Sequence, residues 1–132
     1  MTRFAFAVLA AFAVYAGELD TSPASMAVLS WLATVDAGDY AQSWEDAAKL
    51  LHATATREQW EGTMRKVRAP KGAVLGRRVK YARYTQDSPT DPGHFVEIEI
   101  ETRFEKQARA TEIVTALVTA DGTWKVSGYT IK

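Results

Sequence analysis

The hydrophobic period of the chain changes once, near Val74, and that change limits the folds open to it. Before it, apolar residues recur every three or four positions. Ala24, Ala27, Val28, Trp31, Leu32 and Val35 make one stripe, and Tyr40, Trp44, Ala47, Ala48 and Leu51 make a second. After it they recur every second position, most clearly where Val96, Ile98 and Ile100 alternate with Glu97, Glu99 and Glu101. A 3.6-residue period buries one face of a helix, whereas a period of two buries one face of a strand. Helices followed by a run of hairpin-linked strands predict an α+β layer fold. The expectation is three N-terminal helices, then a four-stranded curved antiparallel sheet packed on them, with the first helix across the concave face and Trp31 inside.

Local signals set the boundaries. Ser22 and Pro23 open the first helix as N-cap and first helical residue, and Gly38 closes it. Asp39 caps the second. Thr56-Arg57-Glu58-Gln59 is a capping box for the third, whose buried side is Trp60, Met64 and Val67 and which ends at Ala69-Pro70-Lys71-Gly72. The strands are read as Val74 to Tyr84, Phe95 to Phe104, Ala108 to Ala120 and Thr123 to Ile131. A polar loop, Gln86 to His94, lies between the first two, Glu105-Lys106-Gln107 turns into the third, and Asp121-Gly122 is a two-residue hairpin signal.

The N-terminus speaks to location. Phe4 to Ala16 is uncharged and apolar, follows Arg3, and ends in Val14-Tyr15-Ala16. This is the layout of a removable export signal, residues 1–16, with cleavage between Ala16 and Gly17 and a single domain over 17–132. The run breaks at Gly17-Glu18-Leu19-Asp20, short of the roughly 20 apolar residues a membrane-spanning helix needs, so no stable membrane insertion is expected after its removal. The chain has no cysteine, which excludes a lipidated N-terminal cysteine, a disulfide scaffold and a thiol enzyme. The expected location is the periplasm or the extracellular space.

Two segments carry a resemblance. "WLATVDAGDYAQSWEDAA" (Trp31 to Ala48) and "DGTWKVSGYTIK" (Asp121 to Lys132), with "REQWEGTMRKVRAPKGAVLGRRV" between them, resemble the bacterial DUF4019 family, and the similarity covers essentially the whole mature chain. The helix-Gly-Asp-Tyr-helix entry and the terminal W-x-V-x-G-Y strand are also similar, more loosely, to the cystatin-like and nuclear-transport-factor-2-like superfamily. The resemblance implies an exported bacterial protein of that α+β shape and carries no catalytic motif. The superfamily hosts isomerases, hydrolases and binding domains alike, so chemistry does not follow from it.

Few residues suggest chemistry. No nucleophile elbow, zinc-protease motif, phosphate loop or dinucleotide fingerprint occurs, and no cofactor or metal is expected. His52 and His94 lack metal-ligand spacing and read as surface residues. Asp36 and Asp39 read as helix-end groups. No catalytic residue is assigned. Glu112 is a weak candidate, because it shares strand parity with Ala110, Val114, Ala116 and Val118 and so could point inward into an apolar setting. The favoured reading places it near the strand's rim, paired with Arg103 or Lys125. The four tryptophans, Trp31, Trp44, Trp60 and Trp124, read as core.

The 16 basic and 16 acidic residues are unevenly spread. From Gly62 to Gln86 there are eight bases and no acid: Arg65, Lys66, Arg68, Lys71, Arg77, Arg78, Lys80 and Arg83. They are candidates for an anionic surface contact, although Arg77, Arg78 and Lys80 also have Glu97, Glu99 and Glu101 available on the next strand. Export and the lack of interleaved aromatics argue against nucleic acid. Three functional readings follow. The first is a non-catalytic domain that binds a protein partner or a small apolar ligand in the helix–sheet concavity. The second is a cavity enzyme, an acid–base isomerase or hydrolase, using Glu112. The third is an accessory domain docking on anionic envelope material through the basic block. The sequence does not give the oligomeric state.

Overall fold

A computed structural model of the chain describes residues 22–85 and 95–132. The expected export signal and the Gln86 to His94 loop lie outside the described residues.

The described chain has α+β architecture, with helices first and an open antiparallel sheet after them. Helix α1 (Pro23–Asp36) starts where the Ser22 hydroxyl accepts from the Ser25 amide at 3.1 Å. It buries Ala24, Val28, Trp31, Leu32 and Val35. Gly38 takes the left-handed φ of 81° that ends it. The single second helix expected from the Tyr40 to Leu51 stripe is two short ones, α2 (Tyr40–Asp46) and α3 (Lys49–Thr54). Ala47 and Ala48 between them are extended, and the Ala48 amide donates to the Val126 carbonyl at 2.7 Å. A tertiary bond to the sheet edge thus replaces a helical one, while Ala47, Ala48 and Leu51 remain buried.

Helix α4 (Arg57–Val67) has both bonds of the capping box. Trp60 and Met64 are buried as expected, but Val67 is 38% exposed, because the chain turns at once into a 3-10 turn, Ala69–Lys71. Gly72 follows at φ 79°, and a Cβ there would sit 2.8 Å from the Glu105 carboxylate.

Strands β1 (Val74–Thr85), β2 (Phe95–Phe104), β3 (Gln107–Val118) and β4 (Trp124–Ile131) lie in sequence order, each antiparallel to the next. The β3–β4 connection is longer than the two residues expected. Thr119 and Thr123 are bonded across a three-residue loop, Ala120-Asp121-Gly122, with Gly122 at φ 87°. That is a turn followed by a left-handed residue, the usual form of the three-residue hairpin.

The alternation in β2 has the expected consequence. Val96, Ile98, Ile100, Thr102 and Phe104 are buried against the helices, and Glu97, Glu99 and Glu101 face the other way. Tyr84 on β1 and Trp124 on β4 belong to opposite edges of the sheet, yet their rings meet at 6.1 Å. A flat sheet would hold those strands about 14 Å apart, so the sheet curls at this end. Side chains fill its concave face: α1 contributes Trp31, Leu32 and Val35, and the sheet contributes Ile98, Ile100, Val114 and Val126.

Candidate functional site

At the end of the concavity nearest Gly72 the apolar core gives way to charge. Glu112 of β3 points inward, as its parity requires, and is fully buried. Its first carboxylate oxygen accepts from the Thr102 hydroxyl at 2.6 Å and from Arg77 Nε at 2.9 Å. The second accepts from the Tyr129 hydroxyl at 2.6 Å. Arg77 uses its remaining nitrogens as a fork on Asp36, at 2.8 and 3.0 Å. Asp36 also accepts from Arg68 at 2.9 Å. Arg68 reaches the Gly72 carbonyl at 3.0 Å and lies 4.4 Å over the Phe104 ring. Two cations and two anions therefore close a neutral network that ties the C-terminal ends of α1 and α4 to all four strands.

Each group has a local reason to be there. Asp36 occupies the last residue of α1, where the helix dipole disfavours an anion, and the two guanidiniums compensate. Burial pushes the Asp36 carboxyl up, but the Arg77 and Arg68 hydrogen bonds outweigh it and hold the group below the usual aspartate range. Burial lowers the Arg77 guanidinium, and Asp36 and Glu112 more than restore it. Burial first, and then the Glu112 charge, drive the Tyr129 hydroxyl far above the ordinary tyrosine range, so it keeps its proton and donates it to Glu112. Glu112 thus has three donors on its two oxygens. Its inner placement matches the catalytic candidacy, but its bonding leaves no oxygen aimed at open space. Its ion-pair partner is Arg77, not Arg103 or Lys125.

The basic block divides among different environments. Arg68 is 3% exposed and Arg77 is largely buried, both inside the network. Arg78, Lys80 and Arg83 lie on the convex face against Glu101, Glu99 and Glu97, at 2.5, 3.4 and 3.4 Å. Lys71 donates to the Gln107 side chain. Arg65 and Lys66 are exposed on α4. The block is thus split between the buried network, the convex ladder and the exposed side of α4.

Next to the network is an aromatic cluster that sequence reasoning did not assemble. Trp31, Trp60 and Tyr129 meet pairwise at 6.0, 5.6 and 6.5 Å. Ser43 fixes both indoles: its carbonyl accepts from Trp31 at 2.8 Å and its hydroxyl from Trp60 at 3.0 Å. Trp44, partly buried, stacks on His52 at 3.9 Å, and His52 Nε2 lies 2.5 Å from the Trp44 carbonyl. Trp124 is also only partly buried against the core. His94 lies outside the described residues.

Two depressions flank β4. One, about 220 Å³, lies between α1 and the start of β4 and is lined partly by Asp46 and Lys125. The other, about 230 Å³, lies between α4 and the end of β4 and is lined by Trp60, Thr63, Met64, Val67 and the Tyr129, Thr130 and Ile131 run of β4, with no charged side chain on its walls. The partial exposure of Val67 belongs to this groove.

The family model described as "Protein of unknown function (DUF4019)" matches residues 27–129, so it spans the network, the aromatic cluster and the α1–β4 depression, and stops short of Thr130 and Ile131 on the wall of the α4–β4 groove. The chain belongs to this family. No curated protein matches it.

Proposed function

We propose that this member of the DUF4019 family is an exported, non-catalytic binding domain, and that it binds through the uncharged groove between α4 and β4. One observation carries the reading: the helix–sheet interior is filled by side chains, while this apolar groove stays open beside it. Small-molecule and partner sites are typically concave, mostly apolar and largely preformed. The carboxylate best placed for acid–base work, Glu112, already accepts three hydrogen bonds. A general base needs reach to a substrate proton, so the bonding of Glu112 favours binding over turnover. The export half of the proposal rests on Arg3, the apolar run Phe4 to Ala16 and its small-residue end.

One preparation tests both halves. The protein is recovered from outside the cytoplasm of an expressing bacterium, weighed intact, and titrated with anilinonaphthalene sulfonate. The expected mass is that of a chain beginning at Gly17, and the dye is expected to bind with enhanced fluorescence. Val67→Glu, at a half-exposed position on the groove wall, is expected to abolish that binding without lowering thermal stability. A full-length mass in the cytoplasm sinks the export half. Equal dye binding by Val67→Glu sinks the groove.

A further inference from the structure

The groove runs beside a stretch of sheet edge whose outward backbone groups have no partner among the described residues. Edge strands expose unpaired amides and carbonyls, and proteins blunt them with bulges, charges or coverings. The β1 edge has two irregularities, at Val74/Gly76 and Val79/Tyr81. In β4 the first half is covered, since the Val126 carbonyl is taken by the Ala48 amide. The last three residues differ. Thr111 and Lys132 exchange both backbone bonds, at 2.9 and 3.0 Å. Facing pairs in an antiparallel ladder alternate between bonded and non-bonded. Thr130, opposite Ile113, is therefore bonded to β3, and Tyr129 and Ile131, opposite Val114 and Glu112, turn their N–H and C=O groups outward. Among the described residues, no backbone group pairs with them.

The side chains along this edge differ by face. Tyr129 and Ile131 are on the inner face and line the apolar groove with Thr63, Met64 and Val67. On the convex face the register places Thr130 and Lys132. Elsewhere on that face each base of β1 has an acid of β2 across from it. Lys132 is exposed and has no ion pair among the described residues. A strand added along Tyr129–Ile131 would therefore meet apolar walls with one face and Lys132 with the other.

We infer that the groove takes an extended segment of a partner protein, alternating apolar and acidic residues, which adds to the Tyr129–Ile131 edge as a fifth strand. The inference rests on the groove reading above and specifies its occupant. Main-chain bonds to the edge provide affinity, and alternate side chains provide selectivity. The apolar residues enter the groove between β4 and α4. The acidic ones lie on the convex face, beside Lys132.

The test uses a capped heptapeptide, Thr-Glu-Val-Glu-Val-Glu-Thr, followed by calorimetry. Ile131→Ala and Ile131→Pro both remove the side chain, but only proline removes the outward amide, and an edge position tolerates it. Matched thermal stability of the two variants shows that β4 is intact. Ile131→Pro is expected to bind about ten-fold more weakly than Ile131→Ala, the loss associated with one hydrogen bond. N-methylation of the two valines should abolish binding, and N-methylation of the glutamates should spare it, because their amides face away from β4. Lys132→Glu should weaken binding, more so at low salt. If Ile131→Pro and Ile131→Ala bind alike, or both methylated peptides do, strand addition is overturned even though dye binding sensitive to Val67→Glu would leave the groove reading standing. If neither dye nor peptide binds, the groove reading itself fails. A concentration-dependent dimer that Ile131→Pro disperses would make a second copy the occupant and overturn the partner segment.

Discussion

The two faces of the β1–β2 ribbon use the same chemistry under opposite conditions. On the convex face, Arg78, Lys80 and Arg83 meet Glu101, Glu99 and Glu97 in water, with Arg78 and Glu101 63% and 50% exposed. On the concave face, Arg77 meets Asp36 and a fully buried Glu112. Consecutive residues, Arg77 and Arg78, thus enter two regimes because strand side chains alternate. Exposed pairs gain little, since solvent screens them and ordering the side chains costs entropy. Buried charges are costly unless paired and hydrogen-bonded, and removing one partner strands the rest. The ladder therefore provides solubility and register, whereas the network fixes how the helix layer sits on the sheet.

The largest expected effect follows from that difference. Glu112→Ala removes the acceptor of Arg77, Thr102 and Tyr129 together. It should destabilise by about 3–5 kcal/mol, the range for breaking a buried pair, measured by urea unfolding. Adding Arg77→Met should recover part of the loss by removing the stranded cation. A loss no larger than that of a convex-face substitution would break the comparison. Asp36→Asn comes next, at about 1–3 kcal/mol near neutral pH, because Asp36 is partly exposed and both arginines keep another partner. Asp36 also has a pH signature. Its folded pKa lies below the usual aspartate value, so the unfolded chain binds the proton more readily. Its contribution is present above about pH 4 and is lost as pH falls through the folded value. The variant should show a shallower decline of stability in that acid range, and an unchanged slope would remove Asp36 from the network's energetics.

Much of the frame was legible because its causes are local. The Ser22 and Thr56 caps, the α1 stripe and the alternation of Val96, Ile98 and Ile100 depend on neighbours a few positions away, and each appears where expected. Parity allowed the inward turn of Glu112. The favoured reading of the sequence put it at the strand's rim beside Arg103 or Lys125, because its true partner, Arg77, lies thirty-five residues away. What escaped the sequence depends on distant partners. The break at Ala47–Ala48 has no glycine or proline to announce it, and its cause is a bond to Val126. Asp36 resembled an ordinary helix-end acid because both its arginines lie more than thirty residues away. Arg77 was grouped with its neighbours because register shifts interrupt the parity of β1. The basic block is contiguous in sequence and not in space.

The smallest effect belongs to the convex ladder, and salt should make it smaller still. Arg78 holds Glu101 below the usual glutamate range, with Lys80 and Arg109 adding to the pull. Both members of the Arg78–Glu101 pair are well exposed, so little of that attraction survives as stability. Arg78→Ala should shift the thermal midpoint barely beyond error in dilute buffer. At about 1 M salt, where the screening length shrinks to about 3 Å, no difference should remain. The Glu112→Ala loss, inside the protein where ions do not reach, should persist at the same salt concentration. Parallel melts of the two variants across a salt series test the comparison directly. If both differences vanish together, the network is solvated and its assignment as the fold's internal clasp is wrong.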